Sequence, residues 1–157
     1  MSGEVIKIAL LCVLLVLLVA AAVTDIRSRI ISNKLNITIA ALAPLYWFAS
    51  GMPAWPDMAL QVALGGGMFG MFAMLFALNL MGGGDVKLLA AIALWFPWQA
   101  LWVLLVIMAI LGGVVTLVTV IHHRMTKRLG QPEVPYGVAI SLAAIWLVSE
   151  RIFYQFA

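Results

Sequence analysis

The chain has 157 residues, of which 66% are hydrophobic and only 10% are charged, and its mean hydropathy is +1.16. A soluble domain is nearer half apolar and a quarter charged, so this composition excludes a water-soluble fold and predicts a single integral-membrane domain over residues 1–157. The net charge of +3 is small, and its basic residues lie beside apolar runs rather than on an aromatic surface, which argues against nucleic acid binding.

Six apolar runs, taken in chain order, predict six helices. The first, from Val5 to Thr24, contains one charge and reaches ~30 Å at ~1.5 Å per residue, enough to cross a bilayer. It is longer than a cleaved signal peptide normally requires, and its flank is not clearly basic. The other runs are Leu35–Ser50, Ala59–Met81, Leu88–Trp98, Leu101–Ile121 and Val138–Ser149. We therefore expect an all-α polytopic bundle of about six transmembrane helices, with a short fourth helix.

The charges predict the orientation of these helices. With six crossings, the polar loops at 25–34 and 122–135 fall on one side, which the excess of basic residues makes cytoplasmic. Those basic residues are Arg27, Arg29 and Lys34 in the first loop, and Arg124, Lys127 and Arg128 in the second. An aromatic belt is expected at the opposite boundary, formed by Trp47, Trp55, Trp98 and Trp102.

Two aspartates stand where apolar runs meet polar breaks, and the topology puts both near the cytoplasmic face. Asp25 follows the first run, and Asp85 ends the string Gly82-Gly83-Gly84-Asp85 before the fourth. A carboxylate beside hydrocarbon is costly and indicates function. Paired carboxylates share one proton, so one activates a water and the other protonates a scissile carbonyl, as aspartyl proteolysis requires. The sequence does not say which aspartate is the acid.

The residues around Asp85 are candidates for substrate binding. The three glycines permit positive φ, which would unwind the helix junction and let an extended substrate approach the backbone. The alternative is a tight turn in which Asp85 caps the fourth helix. Lys87 contacts a substrate carbonyl in one interpretation and extends to lipid headgroups in the other.

Other motifs favour structural roles. The small residues Gly65, Gly66, Gly67 and Gly70 in the third run predict close helix packing. Pro135-Tyr136-Gly137 either caps the sixth helix or forms a wall of the substrate groove. The single cysteine, Cys12, excludes an intrachain disulfide and a cysteine-cluster zinc site. His122 and His123 are not spaced from other ligands as a metal site requires. No metal or cofactor is expected.

Two of these strings resemble the signatures of prepilin peptidases, membrane aspartyl peptidases of the GxGD kind. They are Asp25-Ile26-Arg27-Ser28-Arg29 and Gly82-Gly83-Gly84-Asp85-Val86-Lys87-Leu88, and Pro135–Ile140 is similar to the entry of the family's last helix. The resemblance implies hydrolysis of a short basic leader from type IV pilin-like precursors, just before their hydrophobic helix, at the cytoplasmic face of the inner membrane. It implies that Asp25 and Asp85 are the catalytic pair and that the substrate backbone passes Gly82–Gly84.

The chain also departs from that family. It has Ile31-Ser32-Asn33 where members often have Ile-Pro-Asn, and it has no cysteine pair of the kind found in bifunctional, methylating members. It looks like the short, peptidase-only form of tight-adherence (Flp-type) pili, with an archaeal preflagellin peptidase as an alternative. From other classes, a proton-coupled transporter would need carboxylates near mid-membrane in two matching halves, and a noncatalytic scaffold would not need paired aspartates. The oligomeric state is left open.

Overall fold

A computed structural model describes residues 2–125 and 134–156, which form six α-helices and, within those ranges, no strand. A short π-helical turn, Ala54–Met58, leads into the third helix. The helices are α1 (Ser2–Ser28), α2 (Asn33–Ala49), α3 (Ala59–Ala77), α4 (Gly83–Ala93), α5 (Trp98–Met125) and α6 (Tyr136–Phe156). The predicted all-α membrane bundle is confirmed, with its six helices in the predicted order and a short fourth helix.

Four segments are long and apolar enough to cross a membrane by length and composition: Gly3–Ser28, Ala54–Ala77, Trp98–Met125 and Tyr136–Tyr154. The other two helices are shorter. With 17 residues in α2 and 11 in α4, they extend ~25 Å and ~16 Å, against a hydrocarbon thickness of ~30 Å. The C-terminal end of the short helix α4 therefore lies at a depth within the membrane that the long helices cross.

Helix α4 lies inside the bundle, where it packs against α2, α3 and α6, while α1 packs against α2 and α6. Nearly every side chain of α4 after its first turn is buried, including Leu88, Leu89 and Ile92 at 0% exposure. On α6, the fully buried Ala139 and Ala143 are small enough to let neighbouring helices approach closely, which is how helices associate in lipid. The two ends of α4 are consequently fixed by protein rather than by lipid.

The C-terminal end of α4 is held by side chains of α2 and α6. The Trp47 indole N–H donates to the carbonyl of Leu94 at 2.8 Å, and the Arg151 guanidinium donates to the carbonyl of Trp95 at 3.1 Å. Because water is scarce inside the bilayer, the last carbonyls of a helix need such partners. Trp47 was predicted to join the aromatic belt, but it is only 5% exposed and serves this end of α4 instead.

The glycines of α3 have different surroundings from one another. A Cβ at Gly65 would lie 2.5 Å from Leu94 Cδ2, so this glycine allows α3 to pack closely on α4. Around Gly66, Gly67 and Gly70, no described atom other than those of adjacent residues and of the backbone of α3 itself lies within 4 Å of a Cβ position. The packing prediction is therefore correct for Gly65 and wrong for the other three, which face open space.

Candidate active site

The end of α1 and the start of α4 converge on one small cavity. The last turn of α1 contributes Asp25, which is 5% exposed, and the first turn of α4 contributes Asp85. Both line a cavity of about 190 Å³, together with Arg29, the segment 30–31 and the glycines 82–84. The fold thus brings together two carboxyl groups that the sequence separates, and it does so at the helix ends rather than in the middle of a span.

Asp25 is held by the first turn of α6. Its Oδ2 accepts a hydrogen bond of 3.0 Å from the backbone N–H of Val138, the third residue of α6. The first N–H groups of a helix have no partner within the helix and carry partial positive charge, so a carboxylate there is stabilised. The first turn of α6 therefore orients Asp25.

Gly137 makes this approach possible. A Cβ at Gly137 would lie 2.9 Å from Asp25 Oδ2 and 2.5 Å from Ile31 Cδ1, closer than side-chain carbons normally come. The sequence motif Pro135–Gly137 had two interpretations, a helix cap or a wall of the site. The structure confirms the helix start, since α6 begins at Tyr136; its first turn contacts Asp25 through Val138, but none of Pro135, Tyr136 and Gly137 is among the residues that line the cavity. Gly137 and Val138 were absent from the predicted site residues, and the signals for them were the proline-glycine string and the resemblance of Pro135–Ile140 to the entry of the family's last helix.

The glycine string before Asp85 does not unwind the helix junction as predicted. Gly83 and Gly84 already belong to α4, and Gly82 is its N-cap with φ −70°. Among the described glycines, only Gly51 has positive φ. The predicted use of positive φ at Gly82–Gly84 is therefore wrong, and so is the alternative in which Asp85 is the N-cap.

Close packing explains the glycine string instead. A Cβ at Gly84 would lie 3.3 Å from the carbonyl oxygen of Ile31, and one at Gly82 would lie 2.9 Å from Asp85 Oδ2. A Cβ at Gly83 would lie 3.2 Å from the ring of Phe76. The absence of side chains lets the first turn of α4 press against the segment that follows α1, which brings Asp85 to the cavity.

Asp85 lies outside the four segments long enough to span a membrane. The pKa of its carboxyl group is raised from 3.8 to about 7, chiefly by burial and next by the nearby charge of Asp25, while a backbone hydrogen bond at Gly82 opposes both effects. Such a group carries a proton for much of the time at neutral pH. The carboxyl pair is therefore suited to holding one proton between its two members.

Arg29 also lines the cavity, although the sequence favoured a role in orientation and lipid contact for it over substrate recognition. It ends α1 in the left-handed conformation, with φ 56°, and its N–H donates to the carbonyl of Asp25 at 3.0 Å. Such a residue commonly terminates a helix, although glycine is the usual choice. This backbone turn brings a guanidinium to the mouth of a site that contains two carboxyl groups.

Lys87 lies outside the cavity, on another face of α4, and its ammonium group donates to Asn33 Oδ1 at 2.8 Å. Asn36, which the sequence analysis did not single out, donates from Nδ2 to the carbonyl of Gly84 at 3.2 Å. Ser32, at the position of the expected proline, caps α2 by accepting from the N–H of Leu35, with φ −66°. The start of α2 is thus tied to the start of α4.

The basic residues of the second loop are only partly described. Arg124 lies in the last turn of α5, at the same end of the bundle as the carboxyl pair, whereas Lys127 and Arg128 lie outside the described residues.

Comparison with known proteins gives two kinds of match. The model of the type IV leader peptidase family matches residues 12–117. The prepilin leader peptidase/N-methyltransferase of Burkholderia pseudomallei (strain 1026b) is 30% identical over 130 residues, which cover 76% of this chain and 39% of the relative. The enzyme of the same name from Aeromonas salmonicida (strain A449) is 25% identical over 136 residues, 83% of this chain and 45% of that protein. The chain spans about two fifths of the length of these relatives. No solved structure matches.

Proposed function

The chain belongs to the type IV leader peptidase family, and we propose that it hydrolyses one peptide bond in a membrane-anchored, prepilin-like precursor with Asp25 and Asp85 as its catalytic pair. The observation that carries this proposal is the cavity shared by the two carboxyl groups. The relatives are named for peptidase and methyltransferase activities. The proposal concerns the peptidase reaction, because a carboxyl pair is the chemistry that the described residues assemble.

The two carboxyl groups divide the work of hydrolysis. Asp85, whose pKa burial raises to about 7, donates its proton to the oxygen of the scissile carbonyl. Asp25, held by the Val138 N–H, accepts a proton from the water that attacks the carbonyl carbon. The tetrahedral intermediate then collapses with transfer of a proton to the leaving amine. The water-accessible cavity at the helix ends supplies the nucleophile.

The substrate backbone enters beside Gly82–Gly84. These residues line the cavity together with both carboxyl groups, so a peptide that reaches the carboxyl pair passes beside their backbone. Arg29 lies at the same cavity and is available to a carbonyl or a carboxylate of the substrate. Lys87 lies outside the cavity and acts on parts of the substrate remote from the scissile bond.

The active site faces the cytoplasm and the enzyme resides in the inner membrane. The support for this orientation is the set of basic residues at the same end of the bundle as the carboxyl pair, which cytoplasmic loops favour. They include Arg27, Arg29 and Lys34 after the pair's first member, and Arg124 at the end of α5. A transporter is disfavoured, because a proton carrier would need its carboxyl groups near the middle of the membrane.

The test is co-expression with a prepilin, followed by measurement of the precursor's N-terminal mass. Wild-type enzyme should remove the leader, whereas Asp25→Asn and Asp85→Asn should slow cleavage by several orders of magnitude. Asp57→Asn is the matched control, since Asp57 is an exposed aspartate in the turn before α3. Cleavage at the wild-type rate by either of the first two variants, at equal membrane abundance, would refute the assignment.

A further inference from the structure

A second concavity, of about 570 Å³, lies on α4 between α2 and α3. Each of the three helices lines it with four residues spaced i, i+3, i+4 and i+7, which is one face of a helix. On α4 these residues are Lys87, Ala90, Ala91 and Leu94. The concavity is therefore a groove parallel to the helix axes, ~10 Å long at ~1.5 Å per residue.

The groove changes from polar to apolar along its length. Its polar end carries Asn33, Asn36 and Lys87, from the first turns of α2 and α4, which lie level with the carboxyl pair. Its other end is apolar, with Ala40 and Leu94 about two helical turns deeper. A segment lying in the groove would have its polar end beside the site and its apolar end within the membrane.

Asn36 connects the groove to the cavity. It lines the groove, and its Nδ2 donates to the carbonyl of Gly84, a residue of the cavity that holds both aspartates. Asn36 is only 4% exposed, and no donor among the described residues reaches its Oδ1. A buried acceptor without a partner is costly, so this oxygen is suited to an N–H that a bound molecule would bring.

The α3 wall of the groove is unfilled. Gly66 lines it, and no described atom lies within 4 Å of the place where its Cβ would be. Ala40 of α2 and Ala90 and Ala91 of α4 are among the residues that line the other walls. Small residues let another backbone approach closely, which is the usual basis of helix association in lipid.

We propose that this groove seats the apolar segment of the membrane-anchored substrate that adjoins the scissile bond. The proposal rests on the peptidase function proposed above. A membrane-anchored substrate offers its cleaved bond where an apolar segment meets a polar one, and the groove has the same order of polarity and leads to the cavity through Asn36. A lipid chain would match the apolar end, but it has no N–H to offer Asn36 Oδ1.

The first test fills the groove. Gly66→Leu is compared with Gly67→Leu, because both glycines are exposed neighbours on α3 with open space at the Cβ position, and only Gly66 lines the groove. Each variant is assayed on a full-length prepilin and on a short water-soluble peptide that spans the same bond but lacks the apolar segment. The quantity compared is kcat/KM for prepilin divided by kcat/KM for the peptide. We expect Gly66→Leu to lower this ratio at least tenfold and Gly67→Leu to leave it unchanged. An unchanged ratio for Gly66→Leu overturns the proposal.

The second test does not require cleavage, so that the groove and the peptidase function can fail separately. A photo-crosslinking amino acid is placed at Phe69, which lines the groove, or at Met71, which is equally exposed on α3, in an Asp85→Asn background. Capture of the prepilin's apolar segment from position 69 well above that from position 71 supports the groove, even if wild-type enzyme cleaves nothing. Equal capture from both positions, or capture of lipid alone from position 69, overturns it.

Discussion

Replacing Asp85 with asparagine is expected to make the fold more stable by an amount that depends on pH. Burial in the cavity, followed by the charge of Asp25, raises the pKa of Asp85 from 3.8 to about 7. The charged form of this residue is therefore less favourable in the folded protein than in the unfolded chain. Asparagine has nearly the same shape and no charge to bury.

The magnitude follows from linkage. At ~1.4 kcal/mol per pH unit, a rise from 3.8 to about 7 destabilises the wild-type fold by about 4 kcal/mol above pH 7. At pH 5 the folded protein keeps the proton, and the penalty is only about 1.5 kcal/mol. Between pH 4 and pH 7 the folded state binds more protons than the unfolded state, so wild-type stability decreases as pH rises through that window.

The assay is thermal unfolding in detergent micelles at pH 5 and pH 8. The advantage of Asp85→Asn over wild type should be larger at pH 8 by about 2 to 3 kcal/mol, which corresponds to about 5 to 10 °C in Tm for a chain of this size. Asp57→Asn, at an exposed position, should differ from wild type equally at both pH values.

The result that would refute this reasoning is a Tm difference between Asp85→Asn and wild type that does not change with pH. Asp85 would then be ionised in the fold at pH 5, and it could not be the proton donor. The same variant is expected to be inactive, so a protein that is more stable and inactive would separate the chemical role of Asp85 from any structural one.

Two further substitutions test the surroundings of the site. Gly137→Ala should lower the cleavage rate at least a hundredfold, because the added methyl group would lie 2.9 Å from Asp25 Oδ2. The control is Gly113→Ala, which places its methyl group in open space and should cleave prepilin normally. Equal cleavage rates for the two variants would contradict the role of Gly137. Arg151→Met removes the donor to the Trp95 carbonyl and the cation over the Tyr46 ring at 5.0 Å, and should lower the free energy of unfolding by about 2 to 3 kcal/mol. The control is Arg27→Met, which lies at an exposed position and should lower it little. Equal Tm values for the two variants would contradict the stabilising role of Arg151.

The sequence predicted the helices well because an apolar run long enough to cross a membrane has few alternatives to a helix. It predicted their ends less well. The fourth run was expected to begin at Leu88, whereas α4 begins at Gly83. Two glycines and an aspartate, Gly83 to Asp85, are poor helix formers by intrinsic propensity. They are helical here because the first turn of α4 packs against Ile31 and Phe76, contacts that local sequence does not contain.

The two carboxyl groups of the candidate site could be predicted from the sequence, but their contacts with the rest of the fold could not. Topology alone indicated that Asp25 and Asp85 lie at the same end of the bundle. The contact between Asp25 and Val138 joins residues 113 positions apart, and local patterns could recognise only that a helix begins near Pro135. Which carboxyl group the first turn of α6 would meet depended on how α1 and α6 pack.

The depth at which α4 ends explains why Trp47 was misjudged. A tryptophan at the end of an apolar run usually lies at the membrane interface, and the sequence offers no reason to expect otherwise. Because α4 has 11 residues, its last carbonyls lie ~16 Å below its first turn, where only protein groups can satisfy them. Trp47 and Arg151 supply those donors. They fix the far end of the helix whose first turn carries Asp85, so the position of that carboxyl group depends on contacts about three helical turns away.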